Sequence, residues 1–293
     1  MAELRLSYYP DITQHRTPEA VRTAIKKFAA ALQAELQRAT AKAHTVTTLP
    51  VVSVREQTTL AAKQGCEIAL MKPASYLFAH GRNPNVRVGA VALRRIDGKI
   101  GDTYFAQIYV HAKLKVRTFA QLQAACRKPL AKRPSVAFGD SFSTSNFLVN
   151  AALLKDVGIH PLTRFRRAEF FGGHELAAKA VYRGLAEVGA GHDGVIVDLA
   201  KQRGYRDAEK KLIRIGRRDI HSDPVAIIVD DPVLRTQIEQ ALLAIQSQPQ
   251  IKKALDVFWG AVLGLGPTHH ANYRSIEDSI KSLGIPESDI LGE

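Results

Sequence analysis

Residues 138–158 read FGDSFSTSNFLVNAALLKDVG, and the chain is best read outward from them. Ser135, Val136, Ala137 and Phe138 lead in as a buried strand end. The run breaks at Gly139 and Asp140 into a turn of small polar residues, with Ser141, Ser143, Thr144 and Ser145. Beyond it, Phe147, Leu148, Ala151 and Leu154 share one helical face, and Gly158 supplies a stop. The first N–H groups of such a helix have no partner within it and point back at the turn. Three consecutive hydroxyls add side-chain donors there, at the positive end of the helix dipole. Two readings of Ser143, Thr144 and Ser145 stand side by side: a seat for a tetrahedral oxyanion, or a plain serine N-cap. A nucleophilic Ser143 with His174 and an Asp lacks the G-x-S-x-G elbow, and binding explains the run better.

Upstream, residues 4–9 form a strand that stops at Pro10, and Pro18 opens a helix with Val21, Ile25, Phe28, Leu32 and Leu36 at helical spacing. Residues 46–54 are strand-like, 55–64 helical, and 67–71 a short buried strand. This β-α-β-α-β order implies parallel pairing with helices on the sheet faces. A helix over 73–80 and strands over 86–93 and 104–110 (YFAQIYV) follow. Downstream come a strand over 165–171, a Gly172-Gly173-His174-Glu175 turn opening a helix, a strand over 226–229 and an amphipathic helix over 234–245. No internal repeat or low-complexity tract appears.

At 293 residues the chain can bury one large core or two smaller ones, and 46% apolar with 24% charged residues is ordinary for a globular protein. No apolar run approaches the roughly 20 residues a membrane helix needs. A net charge of +13 favours anions. Nucleic acid is not expected, because the basic residues fall in scattered pairs such as Arg94-Arg95 and Arg217-Arg218 without an aromatic-laced stripe. Cys66 and Cys126 are either two free thiols or one bridge. Neither they nor His269-His270 form a metal-ligand pattern, so no metal and no cofactor is expected, and the histidine pair reads as a surface loop.

The central stretch FGDSFSTSNFLV resembles the FGDPxSTSGxLxP signature of the phosphate, phosphite and phosphonate-binding proteins that serve ABC importers. Further matches are Tyr9-Pro10 at the first strand end, Lys72-Pro73-Ala74-Ser75-Tyr76 against a Gly-Pro-x-x-Tyr helix start, YFAQIYV beginning at Tyr104, and Gly172-Gly173-His174-Glu175 against G-S-H-(D/E). GLAEVGAG, over 184–191, matches NGEVDAGAV, so the resemblance spans nearly the whole chain. Three positions depart from it: Asn146 stands for the usual Gly, Lys72 for a small residue, and His192 for an acidic residue at the ligand's distal end, with Asp193 next to it.

The resemblance implies an α/β protein of the two-lobed, periplasmic-binding-protein type II class. Each lobe is a mainly parallel sheet flanked by helices, with the ligand in the interlobe cleft at strand C-terminal ends. Residues 1–107 with 222–293 would form one lobe and 108–221 the other, with hinges near 104–110 and 224–229. Its implied ligand residues are Ser143, Thr144, Ser145, His174, Tyr104, Lys72, Tyr9 and His192. The implied function is non-enzymatic capture of a small oxyanion, as a monomer, for an ABC permease; a signalling sensor or an enzyme on the same lobes are the alternatives. The start MAELRLSYYP runs straight into a strand with no leader. Complete as it stands, such a chain stays in the cytoplasm, whereas the resemblance implies a periplasmic protein whose leader has been removed.

Overall fold

The computed structural model describes residues 2–9 and 17–291. The strands are β1 (Ala2–Ser7), β2 (His44–Thr48), β3 (Ile68–Leu70), β4 (Arg87–Ile96), β5 (Lys99–Gly101), β6 (Thr103–His111), β7 (Val136–Phe138), β8 (Ala168–Phe170), β9 (Val188–His192), β10 (Leu212–His221), β11 (Pro224–Ile227) and β12 (Val262–Gly266). They fall into two compact units, Met1–Thr103 with His221–Arg274, and Tyr104–Ile220 with Ser275–Glu293. The sequence reading carried the first lobe through residue 293. In the structure the last segment joins the second unit, where Lys155 Nζ donates to the Ser282 carbonyl and Arg218 donates to Ser279 Oγ at 3.4 Å.

In the first unit the sheet order is β12-β4-β11-β3-β1-β2, with β5 on β4. The expected parallel pairs are β1 with β2 and β1 with β3. The return strand β11 inserts between β3 and β4 antiparallel to both, and β12 adds antiparallel to β4, so the sheet is mixed. The helix Pro18–Thr40 begins where Thr17 Oγ1 accepts from the Ala20 amide at 3.1 Å and proline occupies the first turn. Its buried face of Val21, Ile25, Phe28, Leu32 and Leu36 packs with helices Pro232–Ile245 and Pro249–Trp259 on one side of the sheet. Burying each such side chain contributes roughly 1.5–3 kcal/mol. The turn expected at Pro10 lies outside the described residues. The strand expected over 46–54 is displaced to His44–Thr48 and followed by extended chain, because Pro50 cannot donate to a ladder. Ser53 and Glu56 then close a reciprocal capping box on the helix Val54–Ala62.

The second unit holds the sheet β10-β6-β9-β7-β8. β8 and β9 run parallel to β7, and β6 pairs antiparallel with β9, so this sheet is mixed as well. Tyr109, Ala137, Ala177, Val181, Val195 and Leu199 lie in a core between the sheet and its helices. No described helix is long and apolar enough to cross a membrane. Cys66 and Cys126 are both free and buried, one in each unit, and burial pushes their thiols up to about 12 and about 11 respectively.

Candidate functional site

Because β7, β8 and β9 are parallel, their C-terminal ends share one edge of the second unit's sheet. β6 runs the other way, so its first residues lie on that same edge. Ser143, Thr144 and Ser145 follow β7, His174 follows β8, and His192 ends β9. Ala106 sits opposite His192, which puts Tyr104 two residues further out on β6, buried and on the same face as Ala106. All six residues expected from this half of the chain are therefore at one sheet edge, where α/β folds place their ligands.

The turn after β7 is built by its own polar groups. Asp140 Oδ1 accepts from the Phe142 amide at 2.7 Å, and its carbonyl accepts from Ser143 N at 3.1 Å. Ser143 is the N-cap: its Oγ accepts from Asn146 N at 3.2 Å. The first turn is wide, since the Ser143 carbonyl accepts from both Phe147 N at 3.1 Å and Leu148 N at 3.0 Å. This five-residue π-turn, Thr144–Leu148, runs into the helix Val149–Asp156. Such local widening recurs at functional sites. The cap reading thus holds for Ser143. Thr144 and Ser145 sit at the open end of the turn, both buried, and the Ser145 hydroxyl has no hydrogen-bond partner among the described residues.

His174 is drawn against this turn by its own loop. Phe171 N and Gly172 N donate to the carbonyls of Phe138 and Gly139 at 2.8 and 2.6 Å. Gly172 takes φ +84°, a left-handed conformation that suits glycine, and the helix His174–Tyr182 starts two residues later. His174 Nε2 lies 3.4 Å from Ser143 Oγ, and its Nδ1 lies 3.2 Å from Asn146 Nδ2 and 3.3 Å from the His192 amide. The His192 ring stacks edge-on against it at 4.7 Å between centroids. His192 Nδ1 accepts from Gly194 N at 3.0 Å and stands 3.5 Å from an Asp193 carboxylate oxygen.

Sequence reading missed the amides that hold this edge together. Asn146, fully buried, accepts from Gly139 N through Oδ1 and donates to the Ala190 carbonyl at 3.0 Å through Nδ2. A side chain at Gly139 would meet Asn146 and the Gly173 backbone at 2.8 Å, so only glycine fits there. Asn150 Nδ2 bridges the carbonyls of Ser145 and Gly191, at 2.5 and 3.3 Å. Gln107 Nε2 donates to the carbonyls of His192 and Asp193, at 2.7 and 3.1 Å. The signal was present as polar residues inside strongly apolar runs, NFLVNAALL and YFAQIYV.

Tyr9 and Lys72 belong to the first unit, after the C-terminal ends of its parallel strands β1 and β3. They meet each other: Lys72 Nζ lies 5.1 Å above the buried Tyr9 ring, which also packs on Phe258. Lys72 is the N-cap of the helix Pro73–Arg82 but makes no side-chain cap. Ser7, Gln57 and Ser75 are fully buried in the same unit, and Ser7 Oγ, Gln57 Oε1 and Ser75 Oγ have no partner among the described residues. His269-His270 is not the bare surface loop expected. His270 Nδ1 lies 2.9 Å from Tyr76 Oη and its ring 4.0 Å from that of His80, beside a cavity of about 510 Å³ within the first unit.

The family model described as "ABC transporter, phosphonate, periplasmic substrate-binding protein" matches residues 12–273. Among solved structures, PhnD1 of Prochlorococcus marinus in complex with methylphosphonate superposes with a TM-score of 0.71 at 18% identity, covering 96% of this chain and 98% of that one. XAC2383 of Xanthomonas citri, bound to chloride, gives 0.73 at 15% identity, over 96% and 97%. A binding component of an ABC phosphonate transporter from Pseudomonas aeruginosa, PA3383, gives 0.64 at 12% identity, over 99% and 96%. The fold is that of the type II periplasmic binding proteins. With the family pattern matched over most of its length, the chain belongs to the periplasmic substrate-binding proteins of phosphonate ABC transporters.

Proposed function

We propose that this protein captures phosphate, phosphite or a simple alkylphosphonate and delivers it to an ABC permease, acting as a monomer and without turning the ligand over. One observation carries the reading. Ser143, Thr144 and Ser145 open a helix at the same sheet edge as His174, with the Ser145 hydroxyl uncommitted within the described residues. A tetrahedral oxyanion needs several convergent donors, and backbone amides, hydroxyls and an imidazole N–H supply them. Tyr104, His192, Tyr9 and Lys72 are the further ligand residues in this proposal. A ligand carrying a distal ammonium needs a desolvated carboxylate partner, because an unpaired buried charge costs several kcal/mol. His192 replaces the acidic residue the family pattern has there, so a plain anion is favoured over an aminoalkylphosphonate.

The test is a thermal-shift screen followed by calorimetry with phosphate, phosphite, methylphosphonate, aminoethylphosphonate and sulfate. Ligand binding to the folded state raises its melting temperature. Phosphate, phosphite or methylphosphonate should bind most tightly. No response to any phosphorus oxyanion would overturn the capture reading. Preference for aminoethylphosphonate over methylphosphonate would overturn the specificity argument and assign the distal contact to Asp193.

A further inference from the structure

Asn146 stands where the family pattern usually has glycine, and its hydrogen bonds restrict what His174 can be. The orientation of the Asn146 amide is fixed by two backbone groups. Gly139 N–H needs an acceptor, which must be Oδ1, and the Ala190 carbonyl at 3.0 Å needs a donor, which must be Nδ2. Flipping the amide would break both bonds at a fully buried residue and leave a donor facing a donor and an acceptor facing an acceptor. With the amide fixed, Nδ2 also presents a hydrogen to His174 Nδ1 at 3.2 Å, and the His192 backbone N–H presents another at 3.3 Å. An N–H on Nδ1 would meet both donors head-on. Nδ1 must therefore carry its lone pair, and the ring proton resides on Nε2.

We infer that Asn146 holds His174 as the neutral Nε2–H tautomer, making it a fixed hydrogen-bond donor at the oxyanion site and not a titrating cation. The Nε2–H then faces Ser143 Oγ at 3.4 Å, long enough for a ligand oxygen to compete for it. Three titratable neighbours of the ring have contacts of their own. His192 stacks on it edge-on, Asp193 is directed to His192 Nδ1 at 3.5 Å, and Glu175, next on the helix, is paired with Lys179. A neutral imidazole also suits a helix start, where a cation would oppose the dipole. The donor role rests on the capture reading above; the tautomer does not.

The experiment is long-range ¹H–¹⁵N correlation spectroscopy of histidine-labelled protein between pH 5 and 8, first without ligand and then with methylphosphonate. His174 should show an unprotonated Nδ1 and a protonated Nε2 across the range, with no titration step like that of a free imidazole. An Nδ1–H tautomer, or an ordinary titration step with Asn146 in place, would overturn the inference. Asn146→Gly should release the ring into a tautomer mixture and weaken methylphosphonate by about ten-fold, the loss of one aligned donor. Asn146→Asp should create an acceptor for Nδ1–H, so that His174 protonates and methylphosphonate affinity becomes pH-dependent. The same His174 spectrum in wild type and both variants would show that Asn146 does not set it. If methylphosphonate fails to bind at all, the ligand-free spectra still decide the tautomer while the capture reading alone falls.

Discussion

Truncating Ser143 and Ser145 one at a time should disentangle a capping role from a ligand role that the sequence merged into one motif. Ser143 Oγ caps the Asn146 amide at 3.2 Å, whereas the Ser145 hydroxyl makes no hydrogen bond within the described residues. Ser143→Ala therefore removes a helix cap, worth about 1 kcal/mol. It also removes a hydroxyl near His174 Nε2, so both stability and ligand affinity should fall. Ser145→Ala removes only a group available to the ligand. A hydrogen bond to a charged partner contributes roughly 1.5–3 kcal/mol, so affinity should drop about 10- to 100-fold. The melting temperature without ligand should stay close to wild type. Calorimetry with phosphate or methylphosphonate reads the loss of affinity, and thermal unfolding of the ligand-free protein reads the loss of the cap. Ser145→Ala protein that binds like wild type would remove Ser145 from the site. A ligand-free destabilisation of Ser145→Ala as large as that of Ser143→Ala would show that both hydroxyls are structural.

Two further outcomes concern the first unit. Arg94 donates to Asp223 at 2.6 Å, to Ser222 Oγ at 3.0 Å and to the Gly260 carbonyl at 2.5 Å, with both charged side chains largely buried; Asp223→Ala removes the counter-charge of a buried guanidinium and should cost about 3–5 kcal/mol in denaturant unfolding. A loss under about 1 kcal/mol would mean that water already solvates the pair, as at exposed ion pairs. His221 is buried beside Thr268 Oγ1 at 2.6 Å, and burial holds its imidazole below the ordinary range, only partly offset by Asp102. Its folded-state value lies below its unfolded one, so its neutral-state stabilisation is complete above the unfolded value of about 6.5 and is lost as pH falls through that region. The melting temperature should drop between pH 7 and pH 5, and His221→Gln should flatten that slope; an unchanged slope would place the acid sensitivity on His44 and His111, which burial also holds low.

Where the local sequence and the tertiary environment ask for the same thing, the elements were legible. The helix Pro18–Thr40 has a cap, a proline and an apolar stripe, and the β-α-β order gave the parallel core of the first sheet. Strand β10 was not legible, because LIRIGRRDIH reads as a basic loop. It is an edge strand; Arg214 and Arg217 are exposed and lie over the Phe105 ring at 5.2 and 4.7 Å. Charge on an edge blocks unwanted pairing, and the same charge hides the strand from a hydrophobic pattern. β12, VLGLG, was hidden by glycines, and the helix Pro249–Trp259 by its polar opening. At the site, the Ser-Thr-Ser turn and His174 were visible as residue types in order. The tie between Asn146, Gly139 and Ala190 was not, because one side chain joins the turn after β7 to the distant strand β9.

In the proposed capture role, the overall charge and the chemistry of the site would divide the work of anion recognition. The chain carries +13, a field that draws anions from a distance without choosing among them. Arginines paired with carboxylates, as Arg94 is with Asp223 and Arg218 with Asp156, add nothing to that net field. Besides the carboxylates of Asp140 and Asp193, the side chains gathered at the second unit's sheet edge include hydroxyls, amides and imidazoles. Neutral donors discriminate by geometry: each must meet a lone pair, and a misplaced one leaves a buried polar group unpaired at a cost of about 1–3 kcal/mol. A fixed array of them therefore distinguishes anions by shape and by the number of acceptor oxygens, which a bare cation does not. That is also why the supporting amides matter as much as the hydroxyls. Gln107, Asn146 and Asn150 anchor the carbonyls around the turn, and the array can be selective only while those anchors hold it still.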